Sequence, residues 1–339
     1  MTRAVRSRSL FRWLPAFVTT LLAGVWLPGA APSPAQAQIW SESEVADSSL
    51  AAPSALDRRV RLAGFGSIAY RAPLPGKRGP VLVLVHGIFA GSTHRSFNEL
   101  LPLLDAADAR VYTLDLPGTG DSESPKRAYS MATLDQFLEA FLDQVVREPA
   151  TVVAESLLSG SALQLAGLRP DLVKRVALLS PTGAVNLASP PSRDADNLYN
   201  WVYNNDLVGL LFYSTLLSDP SLRFFLERTF VDRSKVTESL LDEYRLARGK
   251  LNQRWISFAF VGGQLYRRFA DVAPAVRVPV LAVFGKQAES PGPVGRADSV
   301  ADFAAIRPDF TYEEIDRAGL NVHREQPAAV ARLILDFVK

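Results

Sequence analysis

Five consecutive apolar residues, Val81-Leu82-Val83-Leu84-Val85, stop abruptly at His86-Gly87. A strand with one face in water alternates apolar and polar residues, so a run that is apolar at every position must be covered on both faces. The pattern then recurs: a helical stretch Ser96 to Leu104, a strand Arg110 to Asp115, a helix Met131 to Val146, a strand Thr151 to Ala154, a helix Leu157 to Leu168 and a strand Val173 to Ser180. After a gap it resumes with strand Val280 to Gly285, helix Ser299 to Ile306, strand Phe310 to Ile315 and helix Pro327 to Val338. Buried strands alternating with amphipathic helices predict an α/β fold with a mostly parallel central sheet and helices on both faces. Upstream, Val60 to Arg71 reads as strand, and a turn at Pro73 to Gly79 separates it from Val81.

The gap has its own character. Residues 185–273 contain no convincing strand but are dense in Tyr199, Trp201, Tyr203, Phe212, Phe225 and Phe230, which predicts a helical cap inserted into the core formed by 58–184 and 274–339. No repeat of solenoid period is visible. With 48 % apolar residues and no cysteine, the chain must be held by its core and not by disulfides.

The first residues predict export. Arg3, Arg6, Arg8 and Arg12 precede an apolar run from Leu14 to Trp26, and Ala35-Gln36-Ala37 supplies a small-residue cleavage site. A secretory signal peptide over 1–37 is expected, followed by a loose leader over 38–57; the apolar run is shorter than the roughly 20 residues of a spanning helix, so no stable membrane span is expected after cleavage. Four of the 37 basic residues leave with the signal, against 35 acids, so the mature charge is slightly negative. Nothing in that balance, and no basic patch, supports nucleic-acid binding. The mature protein is expected in the periplasm or outside the cell.

The chemistry centres on Thr151-Val152-Val153-Ala154-Glu155-Ser156-Leu157-Leu158-Ser159-Gly160, a buried strand turning sharply into a helix with Ser156 at the corner. A nucleophile-elbow pattern Gly-x-Ser-x-Gly wants small residues on either side; here those positions are Ala154 and Leu158. Ser is also a common residue at an ordinary helix N-terminus, so the pattern alone leaves both readings open.

From about Val60 onward the chain resembles the α/β-hydrolase family, through four landmarks in order: His86-Gly87-Ile88-Phe89, Asp115 to Ser122, the corner at Ser156, and Ala318-Gly319 through Glu325-Gln326-Pro327. The resemblance implies an oxyanion loop at the first, so that the N–H groups of Ile88 and Leu157 would stabilise charge developing on an acyl oxygen. It implies Ser156 as nucleophile, needing a base held by an acid. In the family the base follows the glycine of the last loop, and that slot is Leu320; the acid slot is Ala288. His323, three residues beyond Leu320, and Glu289, one beyond Ala288, are the replacements the chain offers. His94 and His86 are the other histidines and are weaker candidates as bases.

Other chemistries find little. Gly118-Thr119-Gly120 follows a strand but lacks the third glycine of a dinucleotide loop, no Gly-Lys-Ser/Thr phosphate loop exists, and three scattered histidines do not make a zinc site. The expectation is a cofactor-independent, metal-free serine hydrolase cleaving an ester or related acyl bond of an apolar small molecule, with Ser156, His323 and Glu289 as catalytic set. The alternatives are a hydrolase-fold protein that binds an apolar ligand without turnover, and a cofactor-free enzyme using another residue set. Substrate-contacting residues and oligomeric state are not legible in the sequence.

Overall fold

The computed structural model describes residues 55–289 and 297–339. The expected signal peptide and most of the leader lie outside the described residues. Eight strands form one sheet: β1 Arg58–Leu62, β2 Gly66–Arg71, β3 Val81–Val85, β4 Arg110–Leu114, β5 Ala150–Glu155, β6 Val173–Leu179, β7 Val280–Gly285 and β8 Thr311–Ile315. Their order is β1-β2-β4-β3-β5-β6-β7-β8. From β4 to β8 all pairings are parallel, while β1 and β2 form an antiparallel hairpin on one edge. The stretch Val60 to Arg71 is therefore two strands, because the chain reverses at Gly64 and Gly66, both with φ of +81°.

β3, β5 and β6 occupy the middle of that order, and β3 and β7 are buried at every residue, as their sequences require. Two apolar layers flank them. One packs α1 (Leu101–Ala106) and the C-terminal helix Pro327–Phe337 against Leu82, Leu84 and Val153. The other packs Met131–Phe141 and Ser159–Leu168 against Val83, Val85 and Val152. Alternate residues of one strand thus serve opposite layers, which is why β3 has no polar position.

Between β6 and β7 the described chain is helical throughout its regular elements: Arg193–Asn204, Asp206–Leu216, Asp219–Thr229, Glu238–Arg245, Arg254–Val261 and the short Phe269–Val272. These helices share the larger apolar layer with the sheet through Tyr213, Trp255 and Phe258. Among the described residues no helix is long and apolar enough to cross a membrane.

Candidate active site

Ser156 directly follows β5 and starts a 3₁₀ turn, Ser156–Leu158, that runs directly into helix Ser159–Leu168. Its φ is +50°, a left-handed backbone that costs a residue with a side chain of order 1–3 kcal/mol and collects at functional sites. Reversing from strand to helix within one residue forces this. The bulk at Leu158 is accommodated because Leu158 is right-handed and fully buried beneath the corner, as is Ala154 on the strand side. Ser156 itself is half-exposed, and its hydroxyl makes no hydrogen bond within the described residues.

Beside it, the β3 end folds over the corner. Glu155 extends its carboxylate to the Gly87 N–H at 3.0 Å and to the Ser96 hydroxyl at 2.6 Å. A Cβ on Gly87 would press on that carboxylate at 3.3 Å, so glycine lets the loop approach this closely. The N–H groups of Ile88 and Leu157 are not taken up by the loop and turn hydrogen bonds of the described residues. Over the loop, Phe89 packs against the cap rings Phe225, Tyr244 and Phe260, at centroid distances of 5.3, 6.3 and 6.5 Å.

His323 is fully buried in the short helix Val322–Glu325. Its Nε2 lies 2.9 Å from Ser96 Oγ and 3.9 Å from Glu155, while Nδ1 has no hydrogen-bond partner among the described residues. Since the Ser96 hydroxyl donates to Glu155, its lone pair accepts from His323 Nε2–H. Burial lowers the His323 pKa against the pull of Glu155. Burial alone would raise Glu155, but His323, Ser96 and the Gly87 N–H together hold it below the ordinary glutamate value. The structure thus joins His323 to Ser96 and Glu155; no hydrogen bond joins it to Ser156 within the described residues. Glu289 is exposed, and no ion pair links it to His323 among the described residues. Ser96 and Glu155 are members of the cluster that pattern reading did not find. The available signal was an acid immediately before the serine, in an otherwise apolar strand.

The loop carrying Leu320 is held rigidly. Glu325 accepts from Gly319 N–H at 2.6 Å and from the cap N–H groups of Val231 and Asp232 at 2.9 and 3.2 Å, Asn321 donates to Thr229 Oγ1 at 2.7 Å, and Arg324 pairs with Glu243 at 2.7 Å and Glu99 at 3.2 Å. Leu320 sits half-buried within this framework.

The remaining histidines are spoken for. His86 donates through Nδ1 to Gly87 O at 2.6 Å and accepts at Nε2 from Leu116 N–H, and burial lowers its pKa. His94 Nδ1 bonds Asp115 at 2.8 Å, with Nε2 buried and without a hydrogen-bond partner among the described residues. Burial works to raise the Asp115 pKa, but His94 and His86 overcome it and hold the carboxyl far below its ordinary value. Asp115 also explains Gly118-Thr119-Gly120. A Cβ at Gly120 would collide with its carboxylate at 1.9 Å, and the Asp121 N–H is already committed to it at 2.6 Å, so the loop wraps an internal anion. Among the described residues no group of three or more His, Cys, Asp or Glu could hold a metal ion. A separate groove of about 410 Å³ lies between the Glu123–Lys126 loop and the cap, where Lys126 and Arg254 stack over Trp255 at 4.6 and 3.9 Å.

A mostly parallel sheet with a left-handed serine where its central strand meets a helix, covered by an inserted helical cap, defines an α/β hydrolase-type architecture. The family model for the alpha/beta hydrolase fold matches residues 80–285, and the chain belongs to that family. It is similar to an uncharacterized hydrolase, YugF, of Bacillus subtilis, 24 % identical over 78 % of this chain and 91 % of that protein. It matches the dihydrolipoyllysine-residue acetyltransferase component of the acetoin cleaving system of Cupriavidus necator at 35 % identity over 36 % of the chain, spanning 32 % of that relative's length. The sn-1-specific diacylglycerol lipase ABHD11 of Mus musculus matches at 34 % over 31 % of the chain and 34 % of the lipase. The chain thus spans about a third of the length of the first curated relatives it matches. Among solved structures, a probable hydrolytic enzyme of Pseudomonas aeruginosa superposes with TM-score 0.66 at 19 % identity, over 83 % of this chain and 94 % of that one. The naproxen esterase of Bacillus subtilis superposes with TM-score 0.61 at 19 % identity, over 85 % and 93 %. These two show the shared fold.

Proposed function

We propose that this protein hydrolyses an ester or related acyl bond of a lipophilic small molecule, without a cofactor, with Ser156 as nucleophile and the N–H groups of Ile88 and Leu157 as oxyanion donors. The observation that carries this reading is the left-handed Ser156 at the strand–helix corner, a strained position that holds a hydroxyl with no hydrogen bond among the described residues. The aromatic roof of Phe89, Phe225, Tyr244 and Phe260 supports an apolar substrate. Relatives described as a diacylglycerol lipase and a naproxen esterase support acyl-ester chemistry. For His323 to act as base, with Glu289 orienting it, the ring must exchange Ser96 for Ser156 and Glu289 must come in from the surface.

A second reading, binding of an apolar ligand without turnover, is favoured by one observation: the framework around Leu320 holds an apolar side chain in the family's base slot. Loss of the base in a serine hydrolase costs on the order of 10⁶ in turnover and leaves about 10³–10⁴ over the uncatalysed reaction. A fluorophosphonate probe with wild type, Ser156→Ala and His323→Ala decides between them. Labelling abolished in Ser156→Ala, together with turnover of short- or medium-chain esters, supports the hydrolase. Absence of both from wild type rejects it, and equal labelling of His323→Ala rejects His323 as base. Export by the 1–37 segment belongs to the same proposal and is checked by the mass of the protein recovered from a bacterial periplasm.

A further inference from the structure

We infer that Glu155 is a positioning residue for the oxyanion loop, clamping Gly87 so that the adjoining Ile88 N–H stays set toward Ser156. The inference rests on the reading of Ser156 as nucleophile. Glu155 precedes Ser156 on the same strand end, so any displacement of the corner is transmitted to its carboxylate. That carboxylate spans the gap to the β3 loop, accepting the Gly87 N–H at 3.0 Å. Its own place is held from the other side, by the Ser96 hydroxyl at 2.6 Å, which in turn receives His323 Nε2–H at 2.9 Å. The titratable groups facing it include His323 from the short helix Val322–Glu325 and His86 at the end of β3, which favour its ionised form, and Tyr244 from the cap.

The geometric logic is that two oxyanion donors come from separate segments. Leu157 belongs to the same turn as the nucleophile and keeps its distance to it automatically. Ile88 belongs to a loop on a neighbouring strand, with glycine before it and therefore a backbone free to rotate. Something must fix that second segment relative to the first, and Glu155 is the side chain that bonds across the boundary. A preorganised donor loses its advantage when it must reorganise, and misplacement by about 1 Å can cost on the order of 10²-fold in rate. Ser96 and His323 then have a role that does not require either to touch substrate: they orient the clamp.

The test compares the full chain with Glu155→Ala, Glu155→Gln and Ser96→Ala by two readouts. Amide hydrogen exchange reports the clamp itself. Faster exchange at Gly87 and Ile88 in Glu155→Ala, with β3 protection unchanged, is expected, and unchanged exchange there overturns the clamp. Steady-state hydrolysis of a short-chain p-nitrophenyl ester reports its consequence. Glu155→Ala is expected to lose about 10²-fold in kcat with KM within about threefold of wild type, and Glu155→Gln, which keeps one acceptor oxygen for Gly87, to recover part of that loss. Wild-type turnover with an equally active Glu155→Ala overturns the positioning role while leaving Ser156 as nucleophile. An inactive wild type instead removes the hydrolase reading, and exchange still decides whether the clamp exists. Should Glu155→Ala fail to fold, Ser96→Ala, which keeps the carboxylate and its bond to Gly87 but removes the hydroxyl that orients it, must show the same exchange pattern at smaller amplitude, and its absence overturns the clamp.

Discussion

Replacing Ser156 by glycine should make the protein more stable than replacing it by alanine, although both remove the hydroxyl. At φ of +50° serine and alanine pay the same clash between Cβ and the backbone, about 1–2 kcal/mol. Glycine has no Cβ and escapes it, but loses more freedom on folding, about 0.5–1 kcal/mol. The difference favours glycine by roughly 1 kcal/mol and by no more than about 1.5. The hydroxyl drops out of the comparison, because it has no hydrogen-bond partner among the described residues and both variants lose it. Equilibrium urea denaturation of the two variants measures the gap, and a thermal midpoint higher by about 2–4 °C for glycine should accompany it. Arg147, with φ of +59° at the end of the helix following Met131, is the internal control: Arg147→Gly should likewise exceed Arg147→Ala. An alanine variant at position 156 as stable as the glycine one, while the control behaves as described, would falsify the claim that the corner stores strain.

Installing the missing partners should raise activity: Ala288→Asp combined with Leu320→His places an acid and a base in the slots the family uses, and ester turnover should rise by more than tenfold over wild type, whereas no change would show that these slots do not face Ser156. Acid should destabilise the fold in two stages. The lowered pKa values of buried His323 and His86 mean the unfolded chain takes protons first, so stability falls as pH drops below about 6.5; the lowered values of Glu155 and Asp115 add a further loss below their ordinary range near 4. Each group contributes a slope of at most about 1.4 kcal/mol per pH unit, and His323→Gln should flatten the upper stage in pH-dependent urea melts. Arg324→Ala should cost up to about 3 kcal/mol, chiefly by leaving part-buried Glu243 without its counter-charge while exposed Glu99 finds water, and limited proteolysis should then cut the cap before the core; an intact cap would argue against Arg324 as its tether.

The strands were legible because burial on both faces admits only apolar residues, and β7 runs over the very residues its composition marks out. The split of Val60 to Arg71 was not, since a hairpin turn that needs two left-handed glycines looks, in one dimension, like a strand containing glycine. The short helix Val322–Glu325 escaped for another reason. Four residues carry no period, and three of them, His323, Arg324 and Glu325, are charged or polar yet buried, each with a partner far away in the chain: Ser96, Glu243 and Val231. Ser156 could be placed at a corner from its neighbours alone. What surrounds it could not, because Ser96 and His323 come within 2.9 Å across 227 positions of sequence, a contact made by topology and not by any local pattern.

The binding of the C-terminal loop to the cap, through Glu325, Asn321 and Arg324, ties two parts of the fold that a hinged lid would keep separate. Lifting the cap from this side would break charged contacts and drag residues 319–325 with it, pulling His323 away from Ser96. Displacement of the cap on this side and the arrangement of polar groups behind the corner are therefore one mechanical event, and a disturbance of either reaches the other through residues 319–325.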